Sequence, residues 1–207
     1  MAQQSSTWPV IHNYALSYAL SHYSYGIYLG SVPKYFEDLE KMPLYATPAI
    51  NSGASRMKIT MNVINDRTLK TELEAKKNTP SLGKKVVIQP EFSSNNSSGF
   101  LFYCYTWDDY NLPGTFRIGK KGCAVRVNWQ EIKSPKVYFL KEPVSPSHPL
   151  NPIDLNGQLL SYEPIMIPPH MIFRKSKIQH DYFVFAGNEK ILFPKRLLER
   201  VNYELNN

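Results

Sequence analysis

Proline is the residue that most constrains this chain, because 16 prolines stand against 10 glycines in 207 residues. Proline lacks a backbone N–H and interrupts both helix interiors and central strands. Its abundance, together with 14 tyrosines, argues against a helical bundle and favours strands with stiff connections. Seven prolines fall between residues 143 and 170, which predicts a proline-rich surface segment that lies against a partner.

Hydrophobic periodicity predicts a helix over 12–23, a helical turn between Pro33 and Pro43, and a short terminal helix from Leu192. Apolar and polar residues alternate over 57–64 and 124–129, which predicts half-buried strands. Shorter strands are predicted at 86–90, 100–107, 115–118, 136–140, 171–174 and 182–186. We therefore expect one α+β domain over 1–207 with a mostly antiparallel sheet, and a hairpin or loop insertion at 65–99.

Composition excludes several classes of protein. No uncharged apolar stretch approaches the roughly 20 residues that a membrane span needs. Met1–Thr7 lacks the pattern of a secretory signal, so we expect a cytoplasmic protein. Cys104 and Cys123 are too few for a four-cysteine zinc site, and the histidines lack metal-ligand spacing. We expect no cofactor and no metal.

Positive charge is concentrated in three parts of the chain, which has a formal net charge of +7. Residues 51–90 hold eight basic and three acidic residues, 114–141 hold seven and one, and 171–200 hold seven and three. A polyanionic partner explains this distribution, although a solvated, soluble surface explains it equally well. Charge alone does not decide between them.

A basic, glycine-flanked turn is predicted between two strands. Arg117 and Arg126 flank it, and Lys120 and Lys121 lie within it. Glycine lets the backbone approach a phosphate, and the mixture of arginine and lysine suits a sugar-phosphate chain. Nearby tyrosine and tryptophan rings offer stacking faces for unpaired bases, namely Tyr103, Tyr105 and Trp107. The alternative is an ordinary hairpin with solvated lysines over a tyrosine-rich core.

The same segment spells part of a phosphate-binding P-loop, from Gly114 to Lys120, but the position of the Ser or Thr that holds magnesium is Lys121. A strand follows it where a P-loop needs a helix, so nucleotide binding is not expected. His22 and His12 are the candidates for a general base in metal-independent RNA cleavage, with packing as the alternative for each. No residue pattern indicates a catalytic centre.

Three blocks resemble a known family in order and spacing: Ile11–Leu20, Leu44–Ala49 and Phe116–Val127. Pro149–Leu155 gives a fourth, weaker match. The family is the small RAMP subunit of the type I-D CRISPR-associated Cascade complex, assigned to the fifth Cas family. Its pattern begins with an apolar strand upstream of the helix, where this chain has Met1–Val10.

The resemblance implies a ferredoxin-like (RRM-like) RAMP core with a hairpin insertion. It implies a non-catalytic subunit that binds and caps the 5′ handle of the guide RNA. Its neighbours would be the Cascade backbone subunit and the large subunit, with target DNA entering nearby at its protospacer-adjacent motif. Carried onto this sequence, the implied RNA contacts are Arg117, Lys120, Lys121, Arg126, Asn13 and Tyr18, with packing as the alternative for Tyr18.

Two other functions stay open from the sequence. One is a metal-independent RAMP endoribonuclease that processes CRISPR repeat RNA through His22 or His12. The other is a general single-strand nucleic-acid binder outside defence systems.

Overall fold

The computed structural model describes residues 4–6, 8–27, 29–30, 32–62, 64–65, 70–71, 82–89, 98–107, 112–118, 123–133 and 135–199. The chain divides into two compact units. The smaller unit comprises Met1–Pro9 and Asn51–Phe100, and the larger unit comprises Val10–Ile50 and Leu101–Asn207. The prediction of a single domain stays a prediction.

Short strands dominate the described residues. The helices are α1 (Asn13–Tyr25), α2 (Tyr35–Lys41), a 3₁₀ turn at Pro152–Asp154 and a helical turn over 195–199. The strands up to residue 89 are β1 (Gln4–Ser6), β2 (Val10–Ile11), β3 (Leu44–Ala46), β4 (Ala49–Ser52), β5 (Ser55–Asn62), β6 (Ile64–Asn65), β7 (Lys70–Thr71) and β8 (Leu82–Gln89). The later strands are β9 (Gly99–Leu101), β10 (Cys104–Thr106), β11 (Thr115–Ile118), β12 (Cys123–Arg126), β13 (Val137–Leu140), β14 (Gln158–Ile165), β15 (Ile172–Gln179), β16 (Asp181–Ala186) and β17 (Glu189–Leu192).

Helix α1 confirms the helix predicted over 12–23, and its ends have clear physical causes. His12 is the N-cap, and its Nδ1 accepts a hydrogen bond from the backbone N–H of Tyr14 at 3.2 Å. Gly26 ends the helix in the left-handed conformation (φ +66°), which glycine adopts without a steric penalty, and donates its N–H to the His22 carbonyl at 2.8 Å. In the larger unit, α1 packs against β3 and β11.

The smaller unit contains a long antiparallel hairpin. Strand β5 pairs with β8 from Ser55–Gln89 to Asn62–Leu82, β6 pairs with β7 inside that hairpin, and β1 adds to β8 in parallel. A hairpin therefore occupies the region of the predicted insertion, but it begins earlier, at Ser55. Residues 66–69, 72–81 and 90–97 of that insertion lie outside the described residues.

Part of the proline-rich segment is buried, while its role as a surface segment stays a prediction. Val144, Leu150 and Asn151 are buried, and strand β14 occupies the second half of the segment. The backbone of Val144 pairs with Ile178, and that of Leu150 pairs with Phe173. Prolines surround these two residues rather than replace them, so the N–H donors that the pairing needs are kept.

Two more predicted elements are wrong in their bounds. The strand expected over 100–107 is split into β9 and β10, because Tyr103 leaves the ladder and exchanges backbone and side-chain hydrogen bonds with Thr47 (2.8 and 3.0 Å). The terminal helix does not include Leu192, which ends β17, and the helical turn begins after Pro194.

The main core of the larger unit lies where β14–β15 and β13–β16–β17 pack their apolar residues together. The buried cluster contains Val144, Leu150, Phe173, Ile178, Phe183 and Leu192. The pairings β10–β3, β11–β12, β13–β16, β14–β15 and β16–β17 are all antiparallel. The α+β class with mostly antiparallel strands is confirmed, and the ferredoxin-like core stays a prediction. None of the described helices is long and apolar enough to cross a membrane.

Candidate nucleic-acid interface

The β11–β12 hairpin places two of the predicted arginines on one exposed face. Thr115 pairs with Arg126 and Arg117 pairs with Ala124, so these four side chains share a side of the ladder. Arg117 and Arg126 are diagonal neighbours on that side, and both are exposed. On the opposite side, Phe116 is 3% exposed and anchors the hairpin in the larger unit.

The turn that carries the two predicted lysines lies outside the described residues. Ile118 and Cys123 are the last described pair on either side of it. At the other end of the hairpin, the Val127 N–H donates to the Gly114 carbonyl at 2.8 Å. The strands predicted on either side of the turn are present, while the turn itself and the roles of Lys120 and Lys121 stay predictions.

A groove of about 420 Å³ lies between α1 and β11. Tyr18, His22 and Tyr23 line it from the helix, and Arg117 and Ile118 line it from the strand. We call it the α1–β11 groove. It brings the predicted helical block and the predicted basic hairpin to one place, with aromatic rings on one wall and a guanidinium group on the other.

Tyr18 is fixed in this groove by a buried carboxylate. Its hydroxyl donates to Asp38 Oδ2 at 2.5 Å, and Asp38 also accepts the backbone N–H of Lys34 at 2.8 Å. Burial and this hydrogen bond raise the pKa of Tyr18, so the phenol stays protonated. The hydroxyl is therefore already used, and Tyr18 presents its ring to the groove.

Asn13 lies in a buried polar network. It is fully buried, its Nδ2 donates to the Tyr45 hydroxyl at 2.8 Å, and its Oδ1 accepts from Asn151 Nδ2 at 3.2 Å. The Tyr45 hydroxyl donates to Asp154, and burial raises the pKa of Asp154 to about 7. An RNA contact by Asn13 stays a prediction, but its amide joins three chain segments inside the protein and leaves no exposed surface for a phosphate.

The sequence analysis did not predict this network, although the sequence contains a signal for it. Asn13, Tyr45 and the pair Asn151–Asp154 come from three of the four blocks that carry the family resemblance. Those blocks meet in the core through hydrogen bonds between residues 32, 109 and 138 positions apart. The signal that could have predicted the network was the presence of polar residues in blocks that are far apart in the sequence.

Two of the three aromatic residues predicted to offer stacking faces, Tyr105 and Trp107, pack into the larger unit instead. The Tyr105 hydroxyl donates to the Leu192 carbonyl at 2.9 Å, and its ring packs edge-on against Phe193. Tyr105 and Trp107 pack against a buried cluster that includes Tyr14 and Met42. Strand β10 pairs with β3, which draws these rings inward, and the rings beside the basic hairpin come from α1 instead.

The two histidines proposed as a general base occupy different environments. His12 is buried, and burial lowers its pKa to about 4, so the ring is neutral near pH 7. His22 is exposed and lines the α1–β11 groove, and its Nδ1 lies 3.3 Å from the Ile27 carbonyl oxygen. Only His22 of the two shares a cavity with Arg117.

Comparison with known proteins assigns a family. The model of the family described as type I-D CRISPR-associated protein Cas5/Csc1 matches residues 1–200. A search of curated proteins finds no match. The matched range contains all four blocks that carry the resemblance and every residue of the α1–β11 groove. The chain therefore belongs to the type I-D CRISPR-associated Cas5/Csc1 family, and it is a subunit of a type I-D Cascade complex, which assembles Cas proteins with a guide RNA.

Proposed function

We propose that this subunit binds and caps the 5′ handle of the guide RNA without cleaving it. The observation that carries the proposal is the meeting of the arginine face of the β11–β12 hairpin with the aromatic wall of the α1–β11 groove. Guanidinium groups bind phosphate oxygens through a planar pair of donors, and tyrosine rings stack on unpaired bases. A single-stranded RNA end needs both kinds of contact.

Family membership supports a proposed setting for this surface. In the proposed arrangement the backbone subunit and the large subunit are the neighbours, and target DNA enters nearby at its protospacer-adjacent motif. Sequence is then recognised by guide pairing, while this subunit holds the backbone and the shape of the handle. Lys120 and Lys121, which lie between the two strands in the sequence, complete the proposed phosphate contacts, and a ferredoxin-like RAMP core is the fold that we propose to hold them.

Charge-removing substitutions of the two arginines test the proposal. In the double variant Arg117→Gln and Arg126→Gln, guide retention in the assembled complex should fall. The plot of log affinity against log salt should become shallower by about 1.4, since each phosphate contact on a single strand contributes about 0.7. Binding is measured by filter retention of labelled guide RNA between low and physiological salt.

A matched control variant distinguishes an effect of the two arginines from an effect of net charge alone. Lys177 and Lys190 are exposed on β15 and β17 of the same unit. The double variant Lys177→Gln and Lys190→Gln removes the same charge and should leave the salt slope within error of the wild type. An unchanged slope in the arginine variant, or equal changes in both variants, would remove the hairpin from the binding site.

One observation favours the ribonuclease alternative, since His22 and Arg117 line the same groove. A histidine can take the proton of a 2′-hydroxyl, and an arginine can stabilise the phosphorane that follows. If metal-free protein cleaves a CRISPR repeat RNA and His22→Ala abolishes the cleavage, the binding-only function is wrong.

The general single-strand binder is tested by the RNA that copurifies with the protein. A guide with one fixed 5′ end supports handle binding, and random RNA contradicts handle binding.

A further inference from the structure

The three-stranded sheet β13–β16–β17 has two edges that differ in how their backbone is used. At the β17 edge, the Lys190 N–H donates to Ser147 Oγ at 2.9 Å, and the Ser147 N–H donates to the Lys190 carbonyl at 2.9 Å. The Leu192 N–H donates to His148 Nε2 at 3.1 Å. At the β13 edge, no hydrogen bond joins the outward backbone groups to any other residue that the structure describes. Within the described residues, the β17 edge is therefore closed and the β13 edge is open.

The open β13 edge carries large apolar side chains on both faces of the sheet. Val137, Tyr138 and Phe139 are 44%, 46% and 44% exposed. Successive side chains of a strand point to opposite faces, so Tyr138 lies on one face and Val137 and Phe139 lie on the other. The Tyr138 ring lies 5.6 Å from that of Phe185, between centroids, and the Phe139 ring lies 5.0 Å from that of Tyr182. Apolar exposure of this kind on an edge strand indicates an interaction surface.

Exposure on both faces favours an added β-strand over other occupants. A nucleic-acid strand that stacks its bases on a sheet uses one face of that sheet. A protein strand that pairs with an open edge uses the outward N–H and C=O groups and covers side chains on both faces at once. The open β13 edge therefore fits an extended protein segment.

Charge at the ends of β13 restricts which segment can pair. Lys136 and Lys141 flank the strand, are exposed and form no ion pair with a described residue. If two copies of this chain paired antiparallel along the whole strand, Lys136 of one copy would lie opposite Lys141 of the other at both ends, and like charges in that position repel. A segment with Asp or Glu at its ends would instead form a pair of opposite charges at each end.

We infer that the open β13 edge binds an extended segment of a neighbouring protein subunit by strand addition, and that this segment carries acidic residues at its ends. Family membership provides such a neighbour, because a type I-D Cascade complex contains other Cas proteins. None of the residues of β13 lines the α1–β11 groove, which the proposed function assigns to the guide RNA. The inference thus concerns a second surface and does not depend on RNA binding.

A photocrosslinker on β13 identifies the occupant in the assembled complex. Benzoylphenylalanine takes the place of Phe139, whose exposed ring leaves room for a larger group. After irradiation of the purified complex with its guide RNA, mass spectrometry of the crosslinked peptides should find one segment of another Cas protein that contains Asp or Glu. Crosslinks to the guide RNA, to a second copy or to this chain itself would overturn the inference, and so would the absence of any crosslink.

Hydrogen exchange tests whether the contact uses the backbone. Strand addition protects the outward amides of β13, whereas contact through side chains alone does not. We expect exchange in peptides that cover residues 137–140 to be at least about tenfold slower in the complex than in the free full-length chain. Exchange in β17, whose edge is already closed, should change much less. Unchanged exchange in β13, or equal changes in both strands, would overturn the inference.

Charge reversal tests the chemistry of the partner segment. The double variant Lys136→Glu and Lys141→Glu should lower about tenfold the amount of this subunit that stays in the complex after a wash at physiological salt. Lys177→Glu and Lys195→Glu, at exposed positions on β15 and in the terminal helical turn, changes the net charge equally and should leave retention within error of the wild type.

A charge swap completes this test. Replacing the acidic residues of the crosslinked segment by lysine should restore retention of the variant Lys136→Glu and Lys141→Glu, because opposite charges then face each other again. Equal losses in the two lysine variants, or a charge swap that restores nothing, would overturn the inference.

Discussion

Gly157 shows how little space a single position in this fold allows. A Cβ atom there would lie 2.3 Å from the Gln179 carbonyl oxygen and 2.5 Å from that of His180. The Gly157 N–H also donates to Asp181 Oδ2 at 2.9 Å, and Asp181 is fully buried. The loop before β14 therefore packs directly against the β15–β16 turn. A side chain at position 157 would push these two backbone segments apart.

Substitution of Gly157 should destabilise the protein. We expect Gly157→Ala to lower the free energy of unfolding by about 1–3 kcal/mol, because backbone atoms must move to admit the methyl group. Urea denaturation followed by tryptophan fluorescence measures it. Gly114→Ala is the control, since a Cβ there meets no atom within 4 Å, and it should change stability by less than about 0.5 kcal/mol. Equal effects of the two variants would contradict the contact.

His148 makes stability depend on pH. Its Nδ1 donates to the Pro149 carbonyl at 2.8 Å and its Nε2 accepts the Leu192 N–H at 3.1 Å, so the ring must be neutral. Burial lowers its pKa from 6.5 to about 4. As pH falls from 6.5 to 4, the unfolded chain binds a proton that the folded chain does not, and the free energy of unfolding falls by up to about 1.4 kcal/mol per pH unit.

The variant His148→Gln should lose less stability over that pH range, because Oε1 of glutamine can accept the Leu192 N–H and does not titrate. Urea denaturation at a series of pH values compares the two slopes. Asp154 acts in the opposite direction, since its pKa is raised and its protonation favours the fold, but it is present in both proteins and cancels. Parallel pH profiles would contradict the assignment to His148.

At the scale of elements, the β11–β12 hairpin depends on Phe116. Its ring is buried while Arg117 and Thr115 on either side are exposed. We expect Phe116→Ala to lower the free energy of unfolding by about 3–5 kcal/mol and to speed amide exchange in β11 and β12. Hydrogen exchange with mass spectrometry measures it. Thr115→Ala, at an exposed position of the same strand, should leave exchange nearly unchanged; slow exchange in both variants would mean that Phe116 is not the anchor.

The β11–β12 hairpin also shows which structural features the sequence could predict. Alternation over 124–129 and the glycine-flanked basic run predict the hairpin and its exposed arginines, because both patterns are local. The cap and the periodicity of α1 are local as well. The aromatic wall was assigned to the wrong rings, because only the pairing of β10 with β3 turns Tyr105 inward. Contacts such as Asn13–Asn151 join distant segments, and no local pattern reports them.

The proline-rich segment shows a second limit of local patterns. Prolines indicate an irregular connection, and the helical structure described in the segment is a 3₁₀ turn at Pro152–Asp154. Its backbone pairs with β15 at Val144 and Leu150 and along β14, which the proline count does not reveal. Val144 and Leu150 are consequently part of the core of the larger unit.

At the scale of the whole molecule, the net charge of +7 and its concentration in three regions fit a subunit that works beside nucleic acid. Two of these regions, 114–141 and 171–200, belong to the larger unit, and the third spans the hairpin of the smaller unit. Family membership places the chain in a complex that contains a guide RNA. In the proposed function, the β11–β12 hairpin is the part of the charge that contacts the 5′ handle.

A structure of the assembled complex with its guide RNA tests the central claim most directly. We expect the guanidinium groups of Arg117 and Arg126 to lie within hydrogen-bond distance of phosphates in the 5′ handle, with an intact phosphodiester chain passing along the α1–β11 groove. A complex in which that hairpin face meets solvent or another subunit, with no nucleotide in reach, would contradict the account.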